Sequence, residues 1–299
     1  MSGRAGIRHA AAVITACLVF ALPHAQAGDD PAIWEMRGAS ASILLLGSVH
    51  LLRESDYPLP GSITAAVDQA ECLVFELDID DLDPLVSQSL LESLGRMPDG
   101  ESLRDMLSPE DYDRAAMQSR ELGIELDILG DFKPWFAALT LMNLQLMRLG
   151  FVPQLGLEQQ LAAAATASGK DVLGLETLEF QLSLFDNLPD DTQAQLLLQT
   201  LEEAGGLEAQ MGSLVSAWRQ GQTGVLANEL RRNFAGYPDL YRSLVTERNI
   251  AWADKIIDLG RGDRPCLVVV GALHLVGEGS VIELLRRRGV QVHRWPAGS

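Results

Sequence analysis

Short apolar runs mark the two ends of this chain, and long amphipathic stretches fill its middle. Strand-like runs over 33–36 and 41–46 lie close together and predict a hairpin. The run over 72–75 is wholly apolar, which is typical of a buried strand, and it leads directly into Glu76. A helix is predicted over 62–70, after a Pro-Gly pair. The N-terminal part therefore alternates strands with a helix.

The middle of the chain is predicted to be helical, with one strand candidate over 172–175. The helices predicted there cover 84–95, 108–122, 133–149, 155–168, 190–204, 207–233 and 238–260. The end of the chain returns to a strand, a helix and a strand, over 266–270, 279–288 and 291–293. This pattern predicts an α/β (α+β) fold. A mixed β-sheet core from the N- and C-terminal segments receives a large helical insertion, approximately 84–260. No Pro-, Gly- and Ser-rich linker divides the chain, so one domain is expected over 28–299.

Residues 1–27 have the organisation of a signal peptide. A short basic segment precedes an apolar stretch over 10–22, and Ala25-Gln26-Ala27 is an A-x-A cleavage signature. Cys17 ends a segment that resembles a lipoprotein cleavage box, but the apolar stretch continues past it, which favours cleavage near Ala27-Gly28. We expect an exported protein, periplasmic or secreted. No later run reaches 18 apolar residues, so no integral membrane segment is expected in the mature chain.

The composition of the chain argues against one class of partner, nucleic acids, and leaves few cysteines that could form a disulfide. The chain has 41 acidic and 23 basic residues, a formal net charge of −18, which opposes binding to the phosphates of nucleic acids. Beyond the predicted signal peptide, two cysteines remain, Cys72 and Cys266, each beside an apolar run. We expect two buried thiols rather than a disulfide, because nothing in the sequence places them within bridging distance.

The candidate chemistry lies in a repeated G-x-x-H motif. His50 follows an apolar run and Gly47, and His274 follows another apolar run and Gly271. One such motif is typical of a histidine at the start of a loop; two copies, both after buried strands, indicate a site. Ligands bind beyond the carboxyl ends of strands in open α/β sheets, where Glu76 is also expected. Two imidazoles and a carboxylate suit zinc, manganese, cobalt or iron.

Together with pieces elsewhere in the chain, these motifs resemble the TraB/GumN family. That family is related to the TIKI metalloproteases and more distantly to the erythromycin-esterase and ChaN-like proteins. The pieces are Ile33-Trp34-Glu35, Leu45 to His50, Leu73 to Leu77, Lys133-Pro134-Trp135, Gly156-Leu157-Glu158, Gly174 to Thr177 with Gln181, Glu247-Arg248-Asn249, Val270 to Leu275 and Gly289 to Val292.

The resemblance implies a divalent-metal site that hydrolyses peptide bonds, with a peptide or protein as substrate. Carried over to this sequence, His50, Glu76 and His274 become the metal ligands, and manganese, cobalt or zinc the expected metal. Glu158 stands where many relatives carry an aspartate and is a further site candidate. Gly47 and Gly271 are site candidates because each allows a tight turn that aims its histidine inward.

Metal-assisted hydrolysis also needs a group that moves a proton and a group that stabilises negative charge. Glu176, after a predicted strand, is the first candidate for proton transfer, and Glu76 is the alternative. Arg248 is the candidate for stabilising an oxyanion or binding a substrate carboxylate. The third mature histidine, His293, lies in the last predicted strand and is expected to be structural.

Two other kinds of function use the same residues differently. One is a non-catalytic periplasmic protein that binds metal or haem, although the sequence has no C-x-x-C-H haem motif. The other is an accessory protein for export of cell-envelope polysaccharide. Intact G-x-x-H motifs favour a working site but do not separate catalysis from binding.

Overall fold

A six-stranded β-sheet organises the protein, which we describe from a computed structural model that covers residues 29–37, 40–79 and 82–296. The signal peptide predicted for 1–27, with cleavage near Ala27-Gly28, lies outside the described residues. The strands are β1 (Ile33–Arg37), β2 (Ile43–Ser48), β3 (Cys72–Leu77), β4 (Asp171–Glu176), β5 (Cys266–Gly271) and β6 (Gln291–Arg294). Their order across the sheet is β4-β3-β5-β2-β1-β6.

The sheet is mixed, as the sequence predicts. Strands β2, β5, β3 and β4 run parallel, whereas β1 is antiparallel to both β2 and β6. Every residue of β2 and β5 is buried, as expected for central strands with continuous apolar runs that are covered on both faces. The predicted α/β (α+β) class is confirmed, and β4, from the middle of the chain, forms one edge of the sheet.

Helices fill the connections between the strands. They are α1 (Gly61–Gln69), α2 (Pro84–Gly95), α3 (Pro109–Glu121), α4 (Pro134–Arg148), α5 (Leu157–Ala167), α6 (Leu178–Asp186), α7 (Asp190–Glu203), α8 (Leu207–Arg219), α9 (Thr223–Asn233), α10 (Pro238–Tyr241), α11 (Glu247–Arg261) and α12 (Val281–Arg287). A π-helical segment, Arg242–Thr246, joins α10 to α11. Within the described residues, none of these helices is long and apolar enough to cross a membrane.

The observed helices differ in places from the predicted ones. The helix expected over 238–260 consists of α10, the π-helical segment and α11 in succession. The single helix expected over 207–233 is two helices, because Gly221 adopts a positive φ of 60° that ends α8. Helix α6 was not predicted; Thr177 begins it by accepting a hydrogen bond from the backbone N–H of Phe180 at 3.2 Å.

Apolar side chains form two clusters. The larger one packs around the sheet, where apolar side chains of the strands contact residues that include Trp218 and Trp252. The smaller cluster lies within the helical insertion, where α3, α4 and α7 bury Tyr112, Leu141 and Leu197. The insertion therefore has apolar packing of its own.

The two cysteines correct a prediction. Cys72 of β3 and Cys266 of β5 face each other in register and form a disulfide, with their Cα atoms 4.7 Å apart. The expectation of two buried thiols was wrong because 194 residues separate the cysteines along the chain, and only the strand order makes them neighbours.

Candidate functional site

The candidate site lies where the parallel strands end. Residues Ser48 of β2 and Gly271 of β5 are paired in register, so the two G-x-x-H segments leave the sheet side by side. Glu76 comes from the last part of β3, and Glu176 ends β4. The structure thus brings the predicted residues of four strands to one edge of the sheet.

Other atoms approach both motif glycines closely, but neither glycine forms the tight turn expected from the sequence, because Gly47 lies within β2 and Gly271 has a φ of −47°. A Cβ atom on Gly47 would lie 2.8 Å from the Cα of Ala272, so β2 can pack against the turn after β5 only without a side chain there. A Cβ atom on Gly271 would lie 3.3 Å from Oε1 of Glu76 and 3.7 Å from Nε2 of His50. It would also lie 3.4 Å from Cδ2 of His274. Two imidazoles and a carboxylate therefore converge on the space that Gly271 leaves open.

A carboxylate holds the first histidine. Nδ1 of His50 lies 2.5 Å from Oε1 of Glu158, which also accepts a hydrogen bond of 2.5 Å from the hydroxyl of Ser48. Glu158 lies in the first turn of α5, where the helix dipole favours a negative charge. The charge of Glu158 raises the pKa of His50 to about 9. Burial by itself would raise the pKa of Glu158, but the charge of His50 and its hydrogen bond outweigh burial and lower it.

A neutral amide holds the second histidine. Nδ1 of His274 lies 2.7 Å from Oδ1 of Asn249, and the amide nitrogen of Asn249 donates to the carbonyl of Gly279 at 2.9 Å. The imidazole packs against Trp252, with ring centroids 4.6 Å apart. Burial lowers the pKa of His274 to about 4, so this imidazole is neutral at pH 7.

Arg248 of α11 links the two strand-end carboxylates. Its Nη2 donates to Oε2 of Glu76 at 2.6 Å and to Oε2 of Glu176 at 2.9 Å. Its Nη1 lies 3.4 Å from Nε2 of His274. Burial would raise the pKa of Glu76, but the charges of His50, His274 and Arg248 lower it to about 2. Glu76 is therefore ionised, and its other oxygen accepts the backbone N–H of Gly271 at 2.8 Å.

Glu176 makes contacts of a different kind from those expected for a proton carrier. Its two oxygens accept hydrogen bonds from Nε and Nη2 of Arg248, and Oε1 also accepts the indole N–H of Trp252 at 2.8 Å. Gln181 donates to both Glu76 and Glu176 at 3.2 Å. These contacts orient the guanidinium of Arg248, while the proton-transfer role of Glu176 stays a prediction.

The donor set suits a divalent cation in chemistry and in charge. Because oxygen acceptors hold both Nδ1 atoms, each imidazole presents Nε2 as its unprotonated nitrogen when neutral. Glu76, Glu158 and Glu176 with Arg248 carry a formal charge of −2 when both imidazoles are neutral. Across the described residues, no group of three or more His, Cys, Asp or Glu side chains is placed to hold a metal ion.

Several contributors to the site were not predicted as site residues. Asn249 and Trp252 share α11 with Arg248, and the π-helical segment immediately before this helix is a feature often found at functional sites. Ser48 lies inside the first motif. Their roles depend on contacts between distant segments, which no local pattern shows. His293, predicted to be structural, is exposed in β6, opposite Glu35 of β1.

The chain is similar to members of one protein family along most of its length. The model of the TraB/PrgY/gumN family matches residues 32–294. The chain is 30% identical over 246 residues to the uncharacterized protein YbaP of Escherichia coli (strain K12), which covers 81% of this chain and 87% of YbaP. It is 24% identical over 282 residues to an uncharacterized protein of Treponema pallidum (strain Nichols), covering 90% of this chain and 84% of that protein. No solved structure matches significantly.

Proposed function

This chain belongs to the TraB/PrgY/gumN family, and on that premise we propose that it is an exported, divalent-metal-dependent hydrolase that acts on peptide bonds. One observation carries the proposal. His50, Glu76 and His274 converge on the space above Gly271, and an oxygen acceptor orients each imidazole.

His50, His274 and Glu76 would hold the cation, which we propose to be manganese, cobalt or zinc. When bound, such a cation acts as a Lewis acid that polarises a carbonyl and activates water. Glu158 and Asn249 would orient the two imidazoles from outside the ligand set, as acceptors that contact metal-binding histidines commonly do. The chain thus supplies both the ligands and the groups that position them.

Arg248 is placed to bind negative charge that develops on the substrate. Its guanidinium is held on one side by Glu76 and Glu176 and stacks on Trp252 at 4.5 Å, while Nη1 faces His274. Nη1 also donates to the carbonyl of Leu244 at 3.2 Å, so in this proposal its second N–H would become available to an oxyanion once Nε2 of His274 is a metal ligand. In this proposal, Glu176 orients Arg248 through the hydrogen bonds that its two oxygens accept, and Glu76 is a ligand of the cation.

The peptide substrate and the export rest on separate support. The similarity of the G-x-x-H motifs to those of the TIKI metalloproteases favours a peptide over other hydrolysable groups. The disulfide between Cys72 and Cys266 favours an oxidising compartment, such as the periplasm, because cytosolic proteins rarely keep one.

Metal content and peptide cleavage test the proposal together. Mature protein, residues 28–299, is purified without a His-tag, loaded with manganese, cobalt, zinc or iron, and measured by mass spectrometry. We expect near-stoichiometric metal and metal-dependent cleavage in a peptide library. Both should be lost in His274→Gln and retained in His293→Gln, the matched control, because His293 is an exposed histidine of β6.

The other outcomes separate the remaining functions. Metal that is bound through His274, with no cleavage of any peptide, would contradict the hydrolase and support a metal-binding protein. Absence of metal under every loading condition would contradict a metal site and support an accessory role in the cell envelope.

A further inference from the structure

Asn249 lies in a chain of hydrogen bonds whose direction can be assigned. Gly279 has a positive φ of 72°, and its N–H donates to Glu283 at 2.6 Å, so its backbone is held in one orientation. A carbonyl oxygen can only accept a hydrogen bond. The Asn249 atom that contacts Gly279 at 2.9 Å must therefore be the amide nitrogen, and the amide oxygen must face His274.

The contact with Asn249 assigns the hydrogen on His274. Because Oδ1 of Asn249 can only accept, Nδ1 of His274 must be the donor at 2.7 Å, and in the neutral imidazole this leaves Nε2 without a hydrogen. The group on the other side of the ring agrees. Nη1 of Arg248, 3.4 Å from Nε2, belongs to a guanidinium that can only donate.

We infer that Asn249 is a positioning residue that fixes His274 in the tautomer with the hydrogen on Nδ1. The lone pair of Nε2 then points into the site, where Nη1 of Arg248 faces it in the metal-free protein and a metal would take its place. The role as metal ligand rests on the function proposed above, whereas the tautomer does not. Asn249 is 1% exposed, so water does not compete for its amide. A neutral acceptor suits this position because it orients the imidazole without placing another negative charge beside Glu76.

The tautomer is measured directly on the metal-free full-length protein. Long-range proton–nitrogen NMR spectra show which ring nitrogen of a neutral imidazole carries hydrogen, and a His274→Gln spectrum assigns the signals. In wild type at neutral pH, we expect the hydrogen on Nδ1. In Asn249→Leu, we expect a shift to the Nε2-protonated form and Mn²⁺ affinity that is roughly 10–100-fold weaker by titration calorimetry.

Two further variants keep the inference testable if Asn249→Leu does not fold. Asn249→Asp retains the acceptor but not the amide donor, so a hydrogen should stay on Nδ1 and Mn²⁺ binding should be largely restored. Gln193→Leu removes another buried amide, on α7, and should leave the His274 tautomer unchanged.

Two results would overturn the inference: hydrogen on Nε2 in wild type, or an unchanged tautomer in folded Asn249→Leu. A wild-type protein that shows the expected tautomer, and changes it with Asn249, but binds no Mn²⁺, Co²⁺ or Zn²⁺ would support the positioning role and contradict the metal-dependent function. The two failures are therefore distinguishable.

Discussion

The two G-x-x-H segments start alike and end differently. Each follows a buried apolar run, each contains a glycine at the end of its strand that other atoms approach closely, and β2 and β5 carry them side by side. Yet the side chain of His50 is 60% exposed and held by the carboxylate of Glu158, which raises its pKa to about 9. His274 is partly buried and held by the amide of Asn249, and burial lowers its pKa to about 4.

The difference shows that the motif fixes where an imidazole lies but not its charge. The charge depends on the side chain that reaches Nδ1, and this side chain comes from another part of the chain: α5 for His50 and α11 for His274. Without a metal, His50 is cationic at pH 7 and His274 is neutral. Substitution of the residues that contact either histidine should therefore make the pKa values of the two histidines more similar or more different.

Loss of Arg248 should have the largest effect on stability, and it should also change the pKa of His274. Arg248→Leu leaves the buried carboxylates of Glu76 and Glu176 without their cation, which we expect to cost about 3–5 kcal/mol of unfolding free energy in urea. The pKa of His274 should rise, because Arg248 lowers it, and this makes His274 more like His50.

The matched control for that change is an arginine on the surface. Arg287→Leu in α12 breaks an exposed pair with Glu283 and should cost about 1 kcal/mol or less. A similar small loss for Arg248→Leu would show that the two carboxylates do not depend on the guanidinium.

Alanine substitutions of the two motif glycines should affect different properties, stability at one position and metal binding at the other. Gly47→Ala places a Cβ against the backbone of Ala272 and should cost about 1–3 kcal/mol in unfolding free energy, with little direct effect on the ligands. Gly271→Ala places its Cβ among Glu76, His50 and His274, where side chains can shift; we expect a smaller loss of stability but a larger loss of Mn²⁺ affinity. Urea unfolding measures the stability and calorimetry the Mn²⁺ affinity of the two variants. A larger loss of stability in Gly271→Ala, or a larger loss of affinity in Gly47→Ala, would contradict this prediction.

The sequence was sufficient for the parts of the site that follow from local pattern. The two apolar runs that lead into G-x-x-H predicted two strands, each followed by a histidine. The rule that ligands bind at the carboxyl ends of strands then predicted that Glu76 lies beside these histidines. The structure has His50, Glu76, Glu176 and His274 at one sheet edge, as the pattern indicated. Their chemical roles stay predictions until metal and turnover are measured.

The rest depended on which distant segments become neighbours. The pairing of Cys72 with Cys266 follows from β3 lying beside β5, and nothing in either apolar run states that order. The contact between Asn249 and His274 likewise requires α11 to cross the sheet edge. A helix pattern shows which face of α11 is apolar, but not which polar group on it meets an imidazole.

The smallest expected effect on stability depends on pH and comes from the contact between His50 and Glu158. Glu158→Gln replaces the carboxylate with a neutral amide, so His50 would be held as His274 is. We expect its pKa to fall from about 9 toward its ordinary value of 6.5, because the charge and the hydrogen bond of Glu158 no longer raise it. NMR titration of the imidazole in chelator-treated protein measures this change.

The stability of the pair should follow the same titration. Since folding raises the pKa of His50, the stabilisation is complete below pH 6.5 and is lost as the pH rises to about 9. Since folding lowers the pKa of Glu158, it is also lost as the pH falls below 4.5. The unfolding free energy of wild type should therefore exceed that of Glu158→Gln most between these two pH limits. The difference should be about 1 kcal/mol or less because His50 is exposed. A difference in Tm that persisted unchanged above pH 9 would mean that Glu158 stabilises the protein through Ser48 and α5 rather than through the charge of His50.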